Sequence, residues 1–360
     1  MGERTVTIRE VAAAAGVSTA TVSRTLAPDR VDGVSEATRL RVYAAAERTG
    51  YRTNYAARIL KTRTSRTIGI VAPELANDFF MDLAEGMAGE LEKRGYTLLV
   101  ASSANSVEEE KKRVIMLAER MVDGMVVIPA GSEGGHLSPQ ALTGVPVVLV
   151  DRLVNGTDMD AVLSDNEGGA YELTRRLLAD GFRRICFVGG DTAVSSARER
   201  IAGFSRAMTE AGLGLKGETI RSGGLELRDG YAGMGAILEA PNPPEALVAV
   251  NLLVHLGMER RLLEYRRPPG VALPVIAAFD ESAYTPFLPA CRYTAAQDAV
   301  TMGKEAVRRL LERIKQKKTA EKSPWTVSGP PGIEGKTGER IIRLPVTILR
   351  HQGELLGINA

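Results

Sequence analysis

The sequence predicts a small all-α head of helix-turn-helix type joined to a larger α/β body made of two doubly wound parallel-sheet subdomains. Three observations predict it. The first fifty residues hold three short helical segments, each opened by a capping residue, the first and third closed by a glycine. From Thr67 onward, short continuous apolar runs alternate with amphipathic stretches of helical period, the pattern of parallel strands covered on both faces. Such strands are too numerous for one compact sheet of this kind, so two similar subdomains with a crevice between them are expected.

The head begins at a capping box. Thr7 stands three residues before Glu10, so the two side chains can satisfy free donors at the helix start. Ile8, Val11, Ala12 and Ala15 then fall on one face, and Gly16 ends the helix where a left-handed residue costs least. Ser18 is placed to cap a second helix. Val22 and Leu26 face inward from it and Thr19, Ala20, Ser23 and Arg24 outward, as in a helix that enters a DNA major groove. After a polar loop, Ser35 caps a third helix with Val42, Ala45, Ala46 and Thr49 inward and Gly50 at its end. Residues 53–63 can form a helix of about two turns, marginal alone. They read equally as a basic linker and as a segment that folds when docked on DNA.

In the body, helices are expected at Phe79–Lys93, Val107–Met121, Gly168–Ala179, Arg198–Ala211, Asp229–Leu238 and Ala299–Ile314. Strands are expected at Ile68–Ala72, Tyr96–Ala101, Met125–Ile128, Val147–Val150, Ile185–Val188, Ala246–Val250 and Val275–Phe279. A single strand at Ile341–Leu349 closes the chain. The divisions are 1–52 for the head, 53–66 for hinge helix and linker, 67–350 for the body and 351–360 for a tail. Within the body, 67–164 with 298–326 make one subdomain and 165–297 with 327–350 the other.

Charge separates head from body. The net charge is only +2, yet residues 1–66 carry 12 Lys/Arg against 6 Asp/Glu and the rest 34 against 38. A basic head on a mildly acidic body implies a polyanionic partner for the head alone. The first residues are polar, without a secretory signal, and no window has the ~18 apolar residues of a membrane span, which points to the cytoplasm. Cys186 and Cys291 lie in apolar strand-like runs and read as buried thiols. His136, His255 and His351 are scattered without ligand spacing. No cofactor or metal is expected, and no nucleophile elbow, P-loop or His-paired carboxylate suggests an enzyme.

Val11-Ala12, Ala15-Gly16-Val17-Ser18, Thr21-Val22-Ser23-Arg24, Val34-Ser35 and Asn54 together resemble the LacI/GalR family of bacterial transcription repressors. The resemblance continues through Ile68-Gly69-Ile70-Val71, Asp123-Gly124, Pro146-Val147, Asp151-Arg152, Arg200-Ile201-Ala202-Gly203-Phe204, Phe279-Asp280 and Leu344-Pro345. It implies a body like periplasmic sugar-binding proteins, a homodimer that can pair into a tetramer, palindromic operator DNA as partner, and an effector in the crevice that controls DNA affinity. On DNA it implies Thr7, Ser18, Thr19, Ala20, Thr21, Ser23, Arg24 and Ser35 from the head. From the hinge it implies Asn54, Ala57 and Leu60, the last as a minor-groove wedge. Arg24 can read a guanine or hold a phosphate. At the effector it implies Asn77, Phe79, Asp151, Arg200, Asn251, Asp280 and Gln297, to which the residues themselves add Arg198. Leu252 stands where the family usually has Asp, and the polar tract 318–338 exceeds the family norm.

The function implied is that of a DNA-binding repressor of carbohydrate genes under control of a sugar or sugar phosphate. A solute-binding protein and a sugar-modifying enzyme are the alternatives. Residues 195–200, Ser-Ser-Ala-Arg-Glu-Arg, are expected between a strand and a helix as an anion site, which favours the phosphorylated form. Arg200 would then hold one end of the ligand and Asp280 accept hydroxyl protons from the opposite wall.

Overall fold

A computed structural model describes residues 6–26, 33–51, 59, 62–215, 219–221, 223–269, 271–322 and 340–351. The chain divides into two units, Met1–Arg66 and Thr67–Ala360. In the first, α1 (Ile8–Ala15), α2 (Thr19–Thr25) and α3 (Glu36–Thr49) pack around Val11, Ala12, Ala15, Val22, Val42 and Ala45. The glycine that ends α1 sits at φ 65°, the left-handed turn that redirects the chain into α2. Thr25, rather than Leu26, is the second fully buried residue of α2, its hydroxyl donating to the Thr21 carbonyl; Leu26 only packs at the margin.

The second unit holds two six-stranded sheets. The first is built from β1 (Thr67–Ala72), β2 (Thr97–Ser102), β3 (Gly124–Val127), β4 (Val147–Val150), β5 (Asp160–Ser164) and β11 (Ile341–Leu344), ordered β11-β5-β4-β3-β1-β2 and parallel throughout. The second contains β6 (Ile185–Val188), β7 (Ile220–Arg221), β8 (Ala246–Ala249), β9 (Val275–Phe279), β10 (Cys291–Gln297) and β12 (Val346–Arg350), ordered β12-β10-β9-β8-β6-β7. Its edge strand β12 runs antiparallel to β10. Strand for strand the two orders are the same, so the subdomains repeat one strand order and differ in the direction of the last edge strand. The helices that position the crevice are α4 (Asp78–Glu92) after β1, α6 (Asn166–Ala179) after β5, α7 (Ser195–Glu210) after β6 and α10 (Ala299–Lys322) after β10. Between them lie α5 (Val107–Glu119), α8 (Leu227–Leu238) and α9 (Leu252–Glu264). Among the described residues no helix is long and apolar enough to cross a membrane.

Four sequence expectations are corrected. The closing strand Ile341–Leu349 is two strands, because Pro345 has no N–H to continue a ladder. Its halves belong to different sheets, so 327–350 does not lie wholly in the second subdomain. The strand β5 escaped notice because it opens on Asp160, a buried carboxylate satisfied far along the chain by Arg313 of α10, with Nε 2.5 Å from Oδ2 and Nη2 2.7 Å from Oδ1. The helix α9, with Gly257 in its interior, is absent from the sequence expectation. There a Cβ would lie 2.0 Å from the Leu227 carbonyl oxygen, so the glycine permits close packing of α9 on α8. The helix expected at Arg198 already begins at Ser195, which changes the chemistry expected of residues 195–200.

Candidate functional site

Two sites emerge, one in each unit. On the head, Ser18 caps α2 by accepting from the Thr21 N–H at 3.1 Å, and Ser35 caps α3 through the Thr38 N–H at 3.4 Å. The Glu10 carboxylate accepts from the Thr7 N–H at 2.7 Å. With Val22 buried, α2 presents Thr19, Ala20, Ser23 and Arg24 outward, all exposed, with Thr21 half-buried beside the Ser18 cap. This is a helix face of small side chains with one guanidinium, suited to close approach to base edges and phosphates. Asn54, Ala57 and Leu60 lie outside the described residues.

In the body, the ends of the strands converge on a crevice between the two sheets. Asn77, Phe79, Phe80, Asp151 and Arg152 line it from the first subdomain; Ser196, Ala197, Arg200, Leu225, Val250, Asn251, Asp280 and Gln297 line it from the second. Parallel sheets bind ligands at such carboxyl ends. Seven of the eight expected effector residues therefore meet in one place. Arg198 does not: it is exposed and donates to the Thr192 carbonyl at 2.9 Å.

Arg200 is the most tightly held of the group. It is 4% exposed. Its Nε donates to Asn166 Oδ1 and its Nη1 to the Val250 carbonyl, both at 2.8 Å, while its guanidinium carbon lies 3.9 Å from the Phe279 ring centroid. A planar cation fixed on two edges and one face keeps a defined edge for a ligand. Asn77 caps α4 through the Phe79 N–H, and Phe79 meets Phe80 edge to face. Asn251 caps α9 through Val254 and donates to the Leu225 carbonyl, so it fixes the wall with both ends of its amide.

Asp151 and Asp280 occupy matching places, one residue past β4 and β9, at φ 65° and 70°. Asp280 is satisfied: Oδ2 accepts from the Leu252 N–H at 3.3 Å and Oδ1 from Gln297 Nε2 at 2.5 Å. Because Leu252 uses its backbone here, the side chain at that position is not needed to anchor Asp280. Among the described residues, the Asp151 carboxylate has the Arg152 Nε, 3.3 Å away and poorly aligned, and its Oδ1 is buried without a hydrogen-bond partner. Burial pushes its carboxyl above the usual range, against the opposing pull of Arg152 and Arg200. Gln297 Oε1 is likewise buried and unsatisfied. Asp280 stands on the same wall as Arg200, so the opposing carboxylate is Asp151, a correction to the sequence expectation.

The anion site expected at residues 195–200 is also altered. Ser195 Oγ accepts from the Leu153 N–H at 2.7 Å, a bond between the two subdomains, and Arg198 faces away. Ser196, Ala197 and Arg200 remain. Sequence reasoning missed Phe80, Arg152, Leu225 and Val250 as lining residues, and Asn166 beneath Arg200. Arg152 belongs to the Asp151-Arg152 motif, a signal that could have included it; Asn166 is reached only through the tertiary fold. Cys186 and Cys291 are buried free thiols, and burial pushes the Cys291 thiol well up. Among the described residues no group of three or more His, Cys, Asp or Glu could hold a metal ion.

Residues 7–54 match the family model described as bacterial regulatory proteins, lacI family. Residues 65–322 match that of periplasmic binding proteins and the sugar binding domain of the LacI family. The HTH-type transcriptional repressor PurR of Aliivibrio salmonicida is 32% identical over 314 residues, covering 86% of this chain and 93% of that protein. The HTH-type transcriptional regulator RegA of Clostridium saccharobutylicum is 29% identical, covering 87% and 94%. Among solved structures, the transcriptional regulator CelR–cellobiose complex superposes with a TM-score of 0.64 at 28% identity, covering 96% and 98%. The Lac repressor dimer bound to operator and the anti-inducer ONPF gives 0.78 at 24% identity, with the same coverage, a likeness of fold.

Proposed function

The chain belongs to the LacI family of bacterial regulatory proteins and is a DNA-binding transcriptional regulator. From that premise we propose that it represses carbohydrate genes under control of a polyhydroxylated effector held in the crevice. The observation that carries this reading is the pair of buried acceptors, Asp151 Oδ1 and Gln297 Oε1, left unsatisfied beside the fixed edge of Arg200. Buried acceptors without partners cost free energy. A ligand that donates hydroxyl protons to them while accepting from Arg200 removes that cost, as vicinal sugar hydroxyls do. A phosphate placed between Asp151 and Asp280 would meet two carboxylates, so the neutral sugar is now preferred over the phosphorylated one. Cellobiose in the CelR complex is a ligand of that type.

In this reading Thr7, Ser18, Thr21 and Ser35 orient the head on phosphates, and Thr19, Ala20, Ser23 and Arg24 read bases. Leu60 serves as the wedge with Asn54 and Ala57 beside it, and the hinge spans 53–66. Family members act as dimers, so a palindromic site is expected. The test is a titration of DNA selected by the full-length protein, across a salt series, with matched sugars and sugar phosphates added. A steep fall of log K with log salt, and a shift with one neutral sugar, are expected. Tighter binding of the phosphorylated partner would reverse the effector choice, and a purine or amino-acid effector would remove the carbohydrate class.

A further inference from the structure

The bonds behind the crevice continue past Arg200. Asn166, which takes the Arg200 Nε–H on its carbonyl oxygen, turns its amide nitrogen to Glu199 Oε2 at 3.4 Å. Both Glu199 oxygens are held by Arg343, each 2.9 Å from one guanidinium nitrogen. Arg200 and Glu199 are on α7 in the second subdomain. Arg343 is on β11, a strand of the first sheet, two residues before Pro345 carries the chain across to β12. Asn166 opens α6 directly after another crossing, from β5. A short polar relay therefore runs from the crevice to two of the segments that join the subdomains.

We propose that Asn166 and Glu199 are positioning residues that tie the crevice arginine to the crossover strand through Arg343. The inference rests on the reading of Arg200 as an effector residue. Three features make the relay more than a surface ion pair. It is bidentate, and so fixes orientation as well as distance. It links consecutive residues, Glu199 and Arg200, which cannot move independently within a helix. Its middle member, Asn166, is almost fully buried, so a shift at either end disturbs an amide that cannot turn to water. Ligand withdrawal or engagement at Arg200 is thereby felt at the strand that joins the two sheets.

The test uses the full-length protein without ligand, so it does not depend on which effector binds. Nitrogen-15 arginine spectra would follow solvent exchange of the Arg200 Nε–H, assigned by its loss in Arg200→Lys. Arg343→Gln and Glu199→Gln should each speed that exchange about two- to fivefold, the range for a well-aligned but partly exposed pair. Arg343→Lys should fall between, having charge without the fork. Backbone amides of Phe204 and Ala207 in the same helix should keep their protection, separating loss of the relay from general unfolding. Should Arg343→Gln leave the exchange unchanged while Asn166→Ala raises it, Arg200 is held by Asn166 alone and the proposal falls. A failure of that kind would leave the operator titration, and the effector reading it tests, untouched.

Discussion

The two subdomains repeat one strand order, yet their matching aspartates have been put to different use. Asp280 in the second is closed into a network by Leu252 and Gln297; Asp151 in the first keeps a buried oxygen with no partner. Both backbones sit in the left-handed region, which short polar side chains tolerate at some cost. The same strained corner thus appears twice, finished in one half and open in the other. The second subdomain supplies a preformed wall, with Arg200 and Asp280 fixed before any ligand arrives. The first supplies an aspartate outside any such network, and Gln297 Oε1 on the second wall shares its want of a donor. A crevice with one aspartate fixed and the other open has a physical reason to change its arrangement on binding.

The largest effect expected from this contrast is at the rigid wall. Arg200→Ala should weaken effector binding by about 100-fold or more, in keeping with loss of one or two charge-assisted hydrogen bonds at about 1.5–3 kcal/mol each. It also leaves Asn166 Oδ1 and the Val250 carbonyl without their donor, so a moderate fall in stability should accompany it. Calorimetry with the sugar that shifts operator affinity measures the first effect, and urea unfolding the second. Retained affinity would move the ligand off Arg200 and remove the rigid-wall description.

The second prediction compares the aspartates directly. Glycine accepts the left-handed corner without strain, so Asp280→Gly and Asp151→Gly differ mainly in the bonds each side chain makes. Asp280→Gly abandons the Leu252 N–H and the Gln297 amide. Asp151→Gly abandons one poorly aligned ion pair, while Arg152 keeps the Pro129 carbonyl at 3.1 Å. The Asp280 variant should therefore be less stable than the Asp151 variant by about 1–2 kcal/mol. Equal urea midpoints at equal slopes, or the reverse order, would mean that the two corners are energetically alike.

Much of this contrast was legible before the fold was known, and its limits are instructive. Asp151, Arg200, Asp280 and Gln297 are all marked through motif resemblance, three of them at strand ends and Arg200 within α7, where local sequence is distinctive. Which aspartate would be satisfied was not legible. That depends on the Leu252 N–H at the start of α9 and on Gln297 at the end of β10 both reaching Asp280, while among the described residues Asp151 Oδ1 receives no donor. The tail was misread for a similar reason: Ile341–Leu349 looks like one apolar strand, and only pairing with β5 and β10 shows that Pro345 divides it. Asn166 and Arg343 carried no local signal at all, since their partners lie 34 and 144 residues away.

A smaller effect should appear with pH. The folded protein holds the Asp151 proton more tightly than an unfolded chain, whose value is near 3.8. Its contribution to stability is therefore greatest below that value and declines as pH rises through the folded pKa. A ligand hydroxyl donated to Oδ1 favours the ionised form, so effector affinity should rise with pH over the same window and then level. The Asp151→Asn variant should show neither trend. Proton release on binding, measured by calorimetry in buffers of different ionisation enthalpy, checks the sign. Proton uptake would mean that the ligand meets a protonated Asp151.

The smallest effect is expected two residues from the largest. Arg198 and Arg200 share a helix and a charge, and sequence alone assigned both to the effector. A spacing of two places them about 200° apart around a helix, so one can line the crevice only if the other points away. Arg200 faces the crevice; Arg198 is exposed and closes on the Thr192 carbonyl. An exposed hydrogen bond of this kind contributes little, and its loss leaves a carbonyl that water can reach. Arg198→Ala should accordingly change effector affinity by less than about twofold and stability by less than about 0.5 kcal/mol. The same calorimetric series that measures Arg200→Ala decides it. A loss comparable to that of Arg200 would require the turn around Thr192 to swing Arg198 into the crevice on binding. The second wall would then be as adaptable as the first.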